Sequence, residues 1–145
     1  MICLIQRVKN ASVEVDNQVV GQIDQGILVL AGFKPDDDSS KIDKMIHRLL
    51  HYRIFADEND KMNLNVQQIN GGLLLVPQFT LAADTKSGLR PSFSSSAKPD
   101  QASQWFDEFS AKTQHQYPNV QCGIFAADMQ VSLINDGPVT FHLEN

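Results

Sequence analysis

The sequence predicts an α+β fold: one domain spanning residues 1–145, with a largely antiparallel, barrel-like β-sheet and two main helices packed outside it. Three observations predict it. Strand-like runs follow one another without the strict β-α-β alternation of a parallel sheet. Only two stretches repeat apolar residues at helical spacing. The 145 residues, 42% hydrophobic and 20% charged, suit a single globular unit that can bury roughly two thirds of its unfolded surface, so no disulfide or metal is needed for folding.

Taken in order, Ile2 to Val8 and Ser12 to Val15 are rich in β-branched residues, and Asp16-Asn17 supplies turn chemistry before a strand at Val19 to Ile23. The continuous apolar run from Gly26 to Phe33 suits a strand buried on both faces. An acidic loop, Lys34 to Asp38, leads to a helix that Ser39 or Ser40 can cap. Ile42, Met45, Ile46, Leu49 and Leu50 form its apolar face, and it ends near Tyr52. Asp57 to Asp60 is a polar turn. Gly71-Gly72 opens a strand from Leu73 to Phe79. Pro99, a favoured first-turn residue, starts the second helix, which buries Ala102, Trp105, Phe106 and Phe109. Strands at Val120 to Phe125, Gln130 to Ile134 and Val139 to Leu143 complete the chain. The last two are joined by Asn135-Asp136-Gly137-Pro138, whose Asp-Gly pair reads locally as a hairpin turn. The same Gly-Pro pair can also hold a rigid loop of exposed carbonyls that reads a ligand by shape.

Composition excludes several function classes. A net charge of −5 lacks the basic footprint of broad nucleic-acid binding, so no DNA partner is expected. Lys86, Arg90 and Lys98 lie in a serine-rich stretch that reads first as a solvated loop and second as a local phosphate contact. Cys3 and Cys122 form no ligand cluster. With no signal peptide in view and an apolar start that meets Gln6-Arg7 too soon for a membrane span, the chain reads as soluble and cytoplasmic.

Few residues offer conventional catalysis. His47 and His51 stand four apart on the first helix, but no Glu completes an HExxH pattern and no third ligand is near, so no metal and no cofactor are expected. There is no GxSxG elbow and no glycine-rich phosphate loop. Thr80, where a strand ends, is either a turn-capping hydroxyl or a nucleophile whose partner is distant in sequence.

Pro77-Gln78-Phe79-Thr80-Leu81-Ala82-Ala83-Asp84 and Asn135-Asp136-Gly137-Pro138-Val139-Thr140-Phe141, taken together, resemble the paired signatures of D-aminoacyl-tRNA deacylases. The resemblance spans essentially the whole chain, through Ile5-Gln6-Arg7-Val8, Tyr52 to Phe55, Lys61 to Val66, Arg90 to Phe93 and Phe125 to Leu133. It implies a homodimeric enzyme that hydrolyses the ester joining a D-amino acid to the 3′ end of tRNA, and that also acts on glycyl-tRNA. It further implies a cis Gly-Pro bond whose motif reaches into the partner's active site. On this reading Gly137 and Pro138 line the partner's chiral pocket, Gln78, Phe79 and Thr80 form the catalytic floor, and Arg7 holds the Gly-Pro loop. The family motif usually begins with Ser where this chain has Pro77, so no role requiring a hydroxyl or an amide falls there. Two other readings stay open: a non-catalytic tRNA- or protein-binding module, and a threonine-nucleophile amidohydrolase acting on small molecules.

Overall fold

In the computed structural model, which describes residues 1–145, the first two expected strands are one. β1 (Ile2–Val15) runs unbroken and is the hub of the sheet. Its first half pairs antiparallel with β3 (Gly26–Gly32), and its second half pairs with β2 (Gln18–Ile23). Asp16 and Asn17, with φ of 51° and 62°, make the two-residue turn into β2, a backbone shape whose twist matches that of the strands it joins.

After β3 the chain forms α1 (Ser39–His51) and a small hairpin of β4 (Phe55–Ala56) and β5 (Met62–Leu64). That hairpin was not anticipated, because its strands are too short for an alternating pattern to register. Its turn is the expected polar one, with the Asp57 carboxylate accepting the Asn59 and Lys61 amides at 2.8 and 3.0 Å. The chain then returns as β6 (Gly72–Pro77), parallel to β3, and after α2 (Pro99–Gln116) as β7 (Val120–Cys122), parallel to β6. The sheet is therefore mixed, with order β2-β1-β3-β6-β7, and β2 curls round to meet β7 in a nearly closed barrel.

The helix expectations hold in register and differ in detail. All five residues of the α1 apolar face are buried, each contributing about 2 kcal/mol of transfer free energy. The cap is Asp38, not a serine: its carboxylate accepts the Lys41 amide at 2.9 Å. Ser39 instead donates to Glu108, tying α1 to α2. On α2, Ala102, Phe106 and Phe109 are buried, while Trp105 is half-buried with its ring centroid 6.1 Å from that of Phe33. The larger core lies between the sheet and the helices. A smaller one, of Val8, Ala11, Val13, Ile23, Leu28, Leu74 and Val76, lies on the other face. Neighbouring residues of β3 therefore serve two cores, and the unbroken apolar run reflects that.

Cys3 sits wholly inside the larger core, and burial pushes its thiol from 9.0 up to about 12. The folded state keeps that proton between pH 9 and 12 whereas the unfolded chain loses it. Stability therefore falls as pH rises through this window. Urea unfolding at pH 8.5 and 10.5 is expected to show a steeper loss for wild type than for Cys3→Ala; equal slopes would contradict it.

The largest departure from expectation is at the C-terminal end. The two strands expected on either side of Asn135 to Pro138 are a single strand, β8 (Gln130–Glu144), antiparallel to β1 along nearly its whole length. The Asp-Gly pair makes no hairpin. Asp136 to Val139 bulge out of the strand opposite Arg7, and pairing resumes at Thr140. The local signal misled because a turn and a bulge demand the same residues. An edge strand can absorb a proline at a bulge without losing a ladder bond.

Candidate active site

β6 ends at Pro77, and its register explains why proline is tolerated there. The Gln78 amide donates to the Ala31 carbonyl of β3 at 2.7 Å, so the nitrogen of residue 77 faces the β7 side. Pairing with β7 has already stopped at Leu75–Cys122, so no ladder donor is lost. The chain then tightens into one turn of 3-10 helix, Phe79–Ala82. This turn can lie against β3 because residue 32 is glycine: a Cβ there would stand 2.9 Å from the Gln78 carbonyl oxygen and 3.1 Å from Leu81 Cβ.

The first two amides of such a turn, those of Phe79 and Thr80, have no acceptor within it. The Gln78 side chain does not cap them; its Nε2 donates to Thr80 Oγ1 at 2.5 Å. Thr80 has no histidine, lysine or carboxylate among its hydrogen-bond partners, so it lacks the adjacent base that a nucleophilic hydroxyl requires.

Beside this turn lies a cavity of about 500 Å³. Val76, Pro77, Phe125, Met129 and Val131 make it largely apolar, and Gln78 and Phe79 form its rim; Thr80 lies outside its walls. Ala126, at φ 61°, also lines it, in a backbone region that L-residues other than Asn and Asp seldom occupy. The expected strand from Val120 to Phe125 stops at Cys122, and the segment after it folds over to make this wall.

The second motif is built from main chain as well. The Gly137–Pro138 peptide is cis, Gly137 has φ +149°, and both residues are exposed at the crest of the bulge. Arg7 clamps the base: its Nε donates to the Asp136 carbonyl at 2.9 Å and its Nη1 to the Ile54 carbonyl at 2.6 Å, with the Asp136 carboxylate 3.6 Å away. Two residues to which no role was attached at first close the bulge from the other side. Asn135 Oδ1 accepts the Val139 amide at 2.7 Å, and its Nδ2 donates to Thr140 Oγ1 at 2.9 Å. The signal was present in the Asn-x-Gly-Pro-x-Thr spacing, but only the bulge brings those two side chains together.

Within one chain the two motifs do not meet. Arg7 pairs opposite Ile27, whereas Gln78 bonds to Ala31, roughly 13 Å further along β3. The bulge also lies on the far side of β1 from β3, and neither Gly137 nor Pro138 lines the cavity. His47 and His51 stack at 4.3 Å on α1, and no group of three His, Cys, Asp or Glu residues is placed to hold a metal ion.

The fold thus sets two main-chain features on one barrel-like sheet: an apolar cavity beside a turn with two unpaired amides, and an exposed cis Gly137–Pro138 bulge. Comparison with known proteins gives this arrangement a family. Residues 4–144 match the family described as D-Tyr-tRNA(Tyr) deacylase. A D-aminoacyl-tRNA deacylase of Cellvibrio japonicus is 61% identical over 144 residues, covering 99% of each chain. One of Hydrogenovibrio crunogenus is 60% identical over 148 residues, again 99% of each. A solved structure named c-Myc DNA Unwinding Element Binding Protein superposes with a TM-score of 0.95 at 34% identity, over 100% of this chain and 99% of that one. The chain belongs to the D-aminoacyl-tRNA deacylase family, hydrolases acting on aminoacyl-tRNA.

Proposed function

We propose that this protein hydrolyses the ester between a D-amino acid and the 3′ end of tRNA, releasing free amino acid and tRNA. It does so as a cytoplasmic homodimer in which the Gly137–Pro138 crest of one subunit completes the cavity of the other. The observation that carries the reading is a pair of uncapped amides in one turn, that of Phe79 on the rim of an apolar cavity large enough for an aminoacylated adenosine and that of Thr80 next to it in the chain. Water attacks the ester carbonyl, and the oxygen that becomes negative is held by those two amides. The C–O bond then breaks, the 3′ oxygen leaves with a proton, and the amino acid departs as its carboxylate. The 2′-hydroxyl of the terminal ribose is the group best placed to relay the proton, taking one from water as it passes its own to the leaving 3′ oxygen. The protein's part is positioning and electrostatics, so neither metal nor cofactor has a step.

Two observations support the dimer. The motifs of one chain are too far apart to share a ligand. β8 also leaves its outer edge unpaired and exposes Ile134 and Phe141 on either side of the crest, a surface that an isolated chain would normally cover. In the completed site the carbonyls of Gly137 and Pro138 bind the substrate ammonium and fill the space into which an L side chain would project. Rejecting L-substrates a thousandfold needs about 4 kcal/mol, within reach of a clash against stiff backbone. Such a filter reads chirality and not side-chain identity. It admits many D-amino acids and also glycine.

A side-by-side assay of D-, L- and glycyl-tRNA tests this: hydrolysis of several chemically different D-aminoacyl-tRNAs and of glycyl-tRNA, with L-aminoacyl-tRNA spared, is expected. Stoichiometric tRNA binding without release of amino acid would mean a binding module instead. Thr80→Ala is expected to keep kcat/KM within about fivefold of wild type, since the variant retains its amide and loses only the hydroxyl. A loss beyond a thousandfold would restore threonine as nucleophile.

A further inference from the structure

A second cavity, of about 610 Å³, adjoins the first, and Phe79, Ala97 and Pro99 line both. Its other walls differ in chemistry: Phe93, Ser94, Ser96, Lys98 and Gln101. The Phe93 ring is 44% exposed and packs with its centroid 5.1 Å from that of Phe79, leaving an aromatic surface open to the cavity. Lys98 is exposed and enters no salt bridge, unlike Lys34, Lys41 and Lys112. It precedes α2, but its side chain caps nothing, so its charge is not committed to the helix. Ser96 Oγ is buried with no hydrogen-bond partner, a deficit a structure rarely carries without reason.

We infer that this second cavity is the subsite for the penultimate nucleotide of the tRNA 3′ strand. The inference rests on the deacylase reading: with the terminal adenosine in the apolar cavity, the chain leaving its 5′ oxygen must pass Phe79 into the neighbouring space. The chemistry there matches what arrives. Lys98 meets the linking phosphate, the exposed hydroxyl of Ser94 is a donor for its oxygens, and Phe93 offers the next base a stacking face. Single-stranded nucleic acid is held in general by such a combination of cation and aromatic surface. It also reconciles the acidic chain with an RNA substrate, because the positive charge is needed only where the strand enters.

Three substrates separate the subsites: D-tyrosyl-tRNA, 3′-O-D-tyrosyl-adenosine, and the D-tyrosyl ester of the dinucleotide cytidylyl-adenosine, which restores the phosphate and the penultimate base. Wild type is expected to favour the dinucleotide ester over the adenosine ester roughly tenfold in kcat/KM, chiefly through KM. Lys98→Gln should erase most of that preference while leaving the adenosine ester unaffected; Phe93→Ala, which also removes the ring packed on Phe79, should lose more on the dinucleotide ester than on the adenosine ester. Lys98→Gln should also lower the salt dependence of tRNA hydrolysis by about one phosphate contact. Lys98 makes no hydrogen bond through its side chain, so its variant tests the subsite without endangering the fold. Equal rates of wild type on the two small esters, or an equal loss by Lys98→Gln on both, would overturn the subsite. Failure of wild type on D-tyrosyl-tRNA would instead remove the deacylase reading itself.

Discussion

Gly137→Ala is expected to lower kcat/KM on D-aminoacyl-tRNA about a thousandfold, equivalent to about 4 kcal/mol of transition-state binding. Gly137 has φ +149°, a region essentially closed to side-chain-bearing L-residues. A Cβ there would stand 2.6 Å from Val139 Cγ2 and 2.9 Å from the Val139 amide nitrogen. The Val139 amide is also the donor to Asn135 Oδ1, so the clash cannot be relieved without opening the base of the bulge. The crest must change shape, and with it the positions of the carbonyls proposed to bind the ammonium. Global stability should fall by only about 1–3 kcal/mol, because the bulge lies on an edge strand, away from the sheet interior. Activity and melting therefore have to be measured on the same preparation. A folded variant with near-normal turnover would show that the crest takes no part in catalysis. A variant that gains hydrolysis of L-aminoacyl-tRNA while keeping activity on D-substrate would support the chiral role most directly.

Arg7→Ala is expected to cost about a hundredfold in kcat/KM, with Arg7→Lys recovering little of it. The guanidinium reaches two carbonyls in different directions, Asp136 at 2.9 Å and Ile54 at 2.6 Å, and so bolts the bulge to the chain entering β4. A lysine ammonium is one point on a flexible stem and cannot reproduce a planar fork. Removing the side chain leaves two part-buried carbonyls without their donor, at a cost of about 1–3 kcal/mol. Arg7 is expected to act by positioning, since its partners are the chain's own carbonyls. The signature is a fall in discrimination between D- and L-substrates together with the fall in rate. A variant that is slow but equally selective would point to a purely structural contribution.

How much of this was legible in the sequence depended on the range of the interactions involved. The five-residue apolar face of α1 was readable because helical spacing places those residues on one side, whatever they pack against. The double burial of β3 was readable in the same way, from an unbroken apolar run. The α1 cap was expected at Ser39 or Ser40 and fell to Asp38, because all three are competent and Ser39 is drawn to Glu108 across the helix interface. The Asn135–Pro138 segment was misread as a hairpin because local rules see only turn chemistry. The pairing of β8 with β1 on both sides of it is a contact across more than a hundred residues.

The same division holds for the site. From the sequence alone came the two motifs, the family they resemble and the lack of a GxSxG elbow or an HExxH pattern, since all three are matters of residue identity and order. Only the tertiary structure decided that Phe79 and Thr80 open a 3-10 turn beside an apolar cavity with their amides unpaired in the turn. It alone showed that Asn135 and Thr140 join Arg7, already expected there from the family resemblance, in bracing the crest, and that crest and cavity stand apart within one chain. The physical reason is that these are properties of main chain. A free amide or an exposed carbonyl leaves no mark in the identity of its residue, and its availability is settled by which long-range partners the fold has already satisfied.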